Sequence, residues 1–386
     1  MELVNATLYT CEGAPIQNGY LRTENGRIAA LGSMTDYIPD GSAVIDCTGK
    51  TLYPGFIDAH CHIGMWEDGL GFEGDDGNEE TDPITPELRA IDAVNPMDRC
   101  FDEAIEGGVT TVLTGPGSAN PIGGSWCAMK TYGRWMEEMT LVPEIGMKFA
   151  LGENPKSVYH GKNETPVTRM ATAALIRKQL FKTKKYLEQL EKSKVDEDTD
   201  EPEFDLSCEA LIPVLKREKK AFFHCHRADD ILTALRLSKE FDLDLVLVHC
   251  TEGYLIADIL KEQDAKIITG PILCDRSKPE LRQLTPKNPG VLAKAGLHTA
   301  ICTDHPVIPI QYLPLTAGIC VKEGLSYDEA IRSLTRYPAE IAGIFDRVGS
   351  LTVGKDADII VYSDDPLSVY AKPEMVFIDG ICRYQK

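Results

Sequence analysis

The chain has 386 residues, with 40 Lys+Arg against 60 Asp+Glu and a formal net charge of −20 at pH 7. That length exceeds one minimal domain and suits a large α/β barrel with a smaller domain attached, while 43% hydrophobic and 26% charged residues exclude general disorder. So acidic a chain repels phosphate backbones and anionic membranes, so the expected partner is a small-molecule substrate, with neither nucleic acid nor membrane engaged.

Residues 1–52 read as short strands separated by turn signals at Asn18-Gly19, Asn25-Gly26 and Gly41-Ser42. The start, Met1-Glu2-Leu3-Val4-Asn5, shows no leader pattern, and no apolar run approaches a membrane span. Between 53 and 348, apolar strand candidates alternate with helical stretches. Strands are expected at 55–59, 110–114, 127–130, 147–151, 221–223, 245–248, 266–269 and 299–302, several of them continuous apolar runs suited to burial on both faces. Helices are expected at 97–106, 229–241, 254–261 and 327–342. Eight strands alternating with helices predict a (β/α)8 TIM barrel.

An insertion at about 154–220 separates the fourth and fifth strands. Ile176, Leu180, Leu187 and Leu190 recur in it at helical spacing, and the acidic run 195–203 reads as a solvated loop. Residues 349–386 return to strand texture. Neither end alone has enough strands for a stable sheet, so both are expected to form one composite β-sandwich domain. The twelve cysteines are scattered without a CxxC pair, which fits free thiols in a reducing cytoplasm.

Of the eight histidines, His60, His62, His224, His226 and His249 fall at or just after strand ends. In a barrel of this kind that end is the active face. In Asp58-Ala59-His60-Cys61-His62 the alternation of a strand points both imidazoles the same way. His224-Cys225-His226 repeats the arrangement, His249 follows the sixth strand, and Asp304 follows the eighth. His60, His62, His224, His249 and Asp304 would converge from four strands as an N/O donor set suited to Zn²⁺, with Fe, Mn or Co as other candidates. The neighbouring Cys61, Cys225, Cys250 and Cys302 are expected to face away and pack.

Three segments together resemble the amidohydrolase superfamily of metal-dependent hydrolases. They are Pro54-Gly55-Phe56-Ile57-Asp58-Ala59-His60-Cys61-His62, Tyr337-Pro338-Ala339-Glu340-Ile341-Ala342-Gly343, and the stretch from Gly349 through Gly354-Lys355-Asp356-Ala357-Asp358 to Ile360. Within it the chain looks most like the imidazolonepropionase-like branch. The resemblance implies one or two divalent ions per chain and a metal-activated water that attacks a C–N bond of an amide, cyclic amide or N-acyl group. Asp304 would be the general base, with His249 beside it as the second catalytic residue. Relatives place either a carboxylated lysine or a glutamate on the fourth strand. Glu153 is the expected ligand here and Lys148 the alternative. His224 is favoured over His226 as the fifth-strand ligand. His226, His305, Asn120 and Lys148 are candidates for contacts to substrate or ligands. Heterocycle deamination is the alternative activity, and a non-catalytic binding or assembly protein is the alternative of another class. Family members are often oligomers, so a homo-oligomer is expected.

Overall fold

A computed structural model describes residues 1–67 and 70–386. The chain opens with five strands, β1 (Glu2–Leu8), β2 (Ile16–Glu24), β3 (Arg27–Ser33), β4 (Val44–Asp46) and β5 (Thr51–Pro54). There follow β6 (Phe56–Cys61), α1 (Cys100–Glu106), β7 (Val109–Thr114), β8 (Ile122–Lys130), α2 (Met136–Met139) and β9 (Thr140–Ala150). The insertion folds as α3 (Glu153–Gly161), α4 (Arg169–Ser193) and α5 (Leu206–Leu215). Next come β10 (Lys220–Cys225), α6 (Ala228–Phe241), β11 (Leu245–His249), α7 (Ala257–Glu262), β12 (Lys266–Thr269), α8 (Asn288–Lys294) and β13 (Thr299–Ile301). The chain ends through α9 (Leu313–Lys322), α10 (Tyr327–Ser333), α11 (Arg336–Ala342), β14 (Ile359–Tyr362), β15 (Met375–Ile378) and β16 (Ile381–Gln385).

Strands β6 to β13 form one eight-stranded sheet in chain order. It nearly closes: Asp304 N donates to His60 O at 3.0 Å and His62 N to His305 O at 2.9 Å. Asp58 reinforces the seam, accepting from Thr303 N at 3.1 Å and from the Thr303 hydroxyl. The regular (β/α)8 pattern breaks at the third strand. β8 is antiparallel to both β7 and β9. Only residues 115–121 join β7 to β8, too few for the crossover that a parallel pair needs, and they carry no helix. The active face therefore meets the start of β8, and Lys130 lies at the far end.

The helix expected over 327–342 is two helices. Pro338 cannot donate to the carbonyl of Leu334, and that carbonyl instead accepts from Ile57 N at 2.7 Å. The break thus ties α11 to the barrel. In the insertion, α4 buries Ile176 and Leu180 and leaves Leu187 and Leu190 half-buried.

Strands from both chain ends join in a second sheet, ordered β16-β15-β14-β5-β1-β2-β3 with β4 beside β1. The joint is the antiparallel pair β5–β14. Leu3, Leu8, Leu21, Leu52, Ile359 and Phe377 share its core. The pairing does not divide these strands into two sheets, as a sandwich requires.

Candidate active site

Two groups of donors meet at one mouth of the barrel: His60, His62 and Asp304, and His224, His226 and His249. Within each group the ligand atoms lie within 4.8 Å of one another. Backbone irregularities aim them. β6 carries one residue more than β7 between Asp58↔Val112 and Cys61↔Thr114, a bulge of the kind that redirects side chains. On β11, alternation would send His249 outward with Leu247, which packs with Ile231 and Leu237 of α6. Instead His249 and Cys250 take left-handed φ of 73° and 44°. The His249 ring turns inward, its centroid 5.1 Å from His60, 4.6 Å from His224 and 4.5 Å from His226. Asp304 also has φ of 56°. Such conformations cost of order 1–3 kcal/mol and persist where the surroundings enforce them, commonly at functional sites.

Four rings are anchored through Nδ1. His62 bonds Gly115 O at 2.6 Å, His249 bonds Gly270 O at 2.7 Å, His224 bonds Ser118 Oγ at 2.8 Å, and His226 bonds Thr251 Oγ1 at 2.7 Å. A carbonyl only accepts, so His62 and His249 carry their proton on Nδ1 and leave a lone pair on Nε2, as metal ligands do. His60 lies flat on Trp126, with centroids 4.4 Å apart and planes 5° from parallel. His60 Nε2 and His62 Nε2 stand 3.1 and 3.3 Å from the same Asp304 oxygen. Two donors about 2 Å from one tetrahedral ion sit about 3.3 Å apart, so this spacing fits a shared cation.

Protonation agrees with that fit. Burial holds His60 and His249 well below the ordinary imidazole range and pushes His224 down to about 4 and His226 to about 3. All four rings are neutral near pH 7. Burial alone would lift the Asp304 carboxyl, but His249, His60 and His62 hold it well below the usual range. Burial also pushes Lys148 down to about 7. Among the described residues its fully buried side-chain nitrogen has no hydrogen-bond partner, and it lies 5.0 Å from the centre of the Trp126 ring. Lys148 is two residues from the end of β9, in register with Phe222.

The other candidates are placed differently. Glu153 belongs to neither donor group; its carboxylate accepts from Glu280 N at 3.2 Å. Asn120 is saturated by the scaffold: it donates to Glu79 O and Thr85 Oγ1 and accepts from Tyr159 OH. His305 is buried at the rim of a cavity of about 800 Å³ that His62, His224, His249 and Asp304 also line. His298 lies before β13, exposed and stacked on Tyr337. The four neighbouring cysteines are buried, and burial raises each thiol far above the range of a neutral-pH nucleophile. Sequence reasoning missed Trp126, Lys278 and Glu280. Trp126 is marked only by its place in an apolar strand, and the other two lie in a loop without periodicity.

Comparison with known proteins agrees with this geometry. Residues 214–382 match the amidohydrolase family. The crystal structure of an amidohydrolase from Thermotoga maritima MSB8 is 39% identical, covers 100% of both chains and superposes with a TM-score of 0.96. The amidohydrolase tasK of Hapsidospora irregularis is 31% identical over 90% of this chain, which spans 38% of that relative's length. An imidazolonepropionase from Acidiphilium cryptum is 25% identical over 94% of this chain and 92% of its own. The chain therefore belongs to the amidohydrolase family, in its imidazolonepropionase-like branch, and is a hydrolase acting on carbon–nitrogen bonds.

Proposed function

We propose that the protein hydrolyses the C–N bond of an amide, cyclic amide or N-acyl substrate, with His60, His62, His224, His249 and Asp304 holding one or two divalent ions. The observation that carries this reading is the convergence of histidine rings and the Asp304 carboxylate on one mouth of the barrel. Zn²⁺ suits the donors best; when bound it supplies Lewis acidity and makes hydroxide available near neutral pH. Asp304 takes the proton of the attacking water and passes it to the leaving nitrogen. His249, fixed by Gly270, keeps that carboxylate ionised. Ser118 orients His224.

Lys148 rather than Glu153 is our choice for the strand-four ligand. Its neutral amine would attack CO₂ and lose a proton to give a carbamate, an oxygen donor beside His60 and His224. The lowered basicity, the absence of a hydrogen-bond partner and the electrostatic influence of Lys148 on both rings support that choice. We also propose a division into 1–52, 53–348 and 349–386, with the two ends forming one composite β domain, a cytoplasmic location and a homo-oligomeric state. Among the described residues, no helix is long and apolar enough to cross a membrane.

The test is a panel of secondary and cyclic amides, N-acyl amino acids and amino-heterocycles, followed for amine, carboxylate and ammonia. Amide cleavage that disappears in a folded Asp304→Asn variant supports the reading. Ammonia released only from amino-heterocycles would replace it with deamination, and a fully active Asp304→Asn would remove the mechanism.

A further inference from the structure

The strand-four end of the barrel holds a carboxylate that does not come from strand four. Glu280, on the loop after β12, is 1% exposed and reaches to the end of β9. Its Oε1 stands 3.7 Å from His224 Nε2 and 3.6 Å from His226 Nε2. Both atoms are buried; among the described residues His224 Nε2 has no hydrogen-bond partner, and Glu280 Oε1 is met by an ion pair alone. The charge facing Glu280 is Lys278, whose ammonium lies 2.9 Å from the same Oε1 and also donates to Asn154 Oδ1 at 2.9 Å.

The fold makes room for this carboxylate. Gly152 follows Leu151 at the end of β9 with φ of 83°. A Cβ there would meet Glu280 Oε2 at 2.9 Å and Asp230 Oδ2 at 3.0 Å. Glu153 then clamps the loop from both sides: its backbone N donates to Glu280 Oε2 at 3.1 Å, and its carboxylate accepts from Glu280 N at 3.2 Å. A carboxylate is expensive to bury without compensation; Lys278 and Glu153 N supply it here, and Oε1 is left facing the two imidazoles as well.

We propose that Glu280, with His224 and His226, forms a donor set for a divalent cation, with Glu153 as the residue that positions it. The inference rests on the metal-dependent reading above and extends it to a ligand from outside the barrel strands. Lys278 is the cation that balances Glu280 until a divalent ion takes its place. Oxygen and imidazole donors of this kind suit Zn²⁺ or Co²⁺.

The experiment is equilibrium dialysis of the full chain against buffered free Zn²⁺, with metal counted by atomic emission, and the visible spectrum of the Co²⁺ form. Wild type, Glu280→Gln, Lys278→Met and the double variant are compared. The double variant leaves no unpaired buried charge, so it guards against misfolding of the single ones. Expected are a loss of Zn²⁺ affinity beyond about 100-fold in both Glu280→Gln proteins, more than removal of an outer partner costs, and an altered Co²⁺ spectrum. Lys278→Met alone should bind Zn²⁺ more tightly. Unchanged affinity and spectrum in Glu280→Gln, with wild type still binding metal, would overturn this inference alone. A wild type that binds no transition metal would overturn the metal-dependent reading and this inference with it.

Discussion

Lys130→Met should destabilise the protein without touching its chemistry. Lys130 ends β8 at the barrel's far end, 3% exposed, in contact with Asp358 and 3.0 Å from Asp356. Removing one partner of a buried ion pair costs about 3–5 kcal/mol, because the other charge is left stranded. Asp356 keeps two bonds from Arg347 at 2.9 and 2.8 Å, whereas among the described residues Asp358 keeps only a backbone bond from Asp379 N at 3.1 Å. One stranded carboxylate places the loss at the low end, about 3 kcal/mol. Unfolding entropy of about 2.1 cal/mol/K per residue over 386 residues gives about 0.8 kcal/mol/K, hence a fall in Tm of about 4 °C. Differential scanning calorimetry measures this directly. Adding Asp358→Asn should restore at least half of the loss, and kcat per folded molecule should stay at the wild-type value. An unchanged Tm in Lys130→Met would refute the claim that this buried cluster fastens the terminal sheet to the barrel.

Gly152→Ala should lower Tm and weaken Zn²⁺ binding together, because its Cβ collides with Glu280 at a φ that alanine rarely adopts; a variant that retains wild-type metal affinity would show that Glu280 can be displaced without consequence. Cys225→Ala and Cys250→Ala should retain turnover, since both thiols are buried and raised by burial; loss of activity in a folded variant would point to a cysteine nucleophile instead. Bicarbonate should raise the metal occupancy of wild type and leave Lys148→Met unresponsive, as elemental analysis would record; an equal response from both would remove Lys148 from the ligand set. Chelation should lower Tm, because an ion at 1,000 times its Kd stabilises by about 4 kcal/mol, and added Zn²⁺ should restore it.

The continuous apolar strands and the His-x-His pairs at their ends were readable because strand alternation has a period of two and buried strands lack polar residues. That pattern located His60, His62, His224 and His249. The Lys355-Asp356-Ala357-Asp358 stretch was readable as a motif, while its cause, Lys130, lies 228 residues from Asp358 in the chain. Three features were not readable. The reversal of β8 depends on the length of its connection rather than on its composition. The inward turn of His249 depends on a left-handed backbone that no residue type announces. Glu153 carried the expected signal, a carboxylate just past the fourth strand, yet a contact spanning 127 residues brings Glu280 to that place instead.

In the proposed function, one mouth of the barrel holds the ion that drives hydrolysis. Anomalous diffraction at the zinc edge, from crystals of the Zn²⁺-loaded protein that turns over a panel substrate, tests it most directly. One or two peaks are expected in contact with His60, His62, His224, His249 and Asp304. Active, loaded crystals with no peak among those five residues would contradict it.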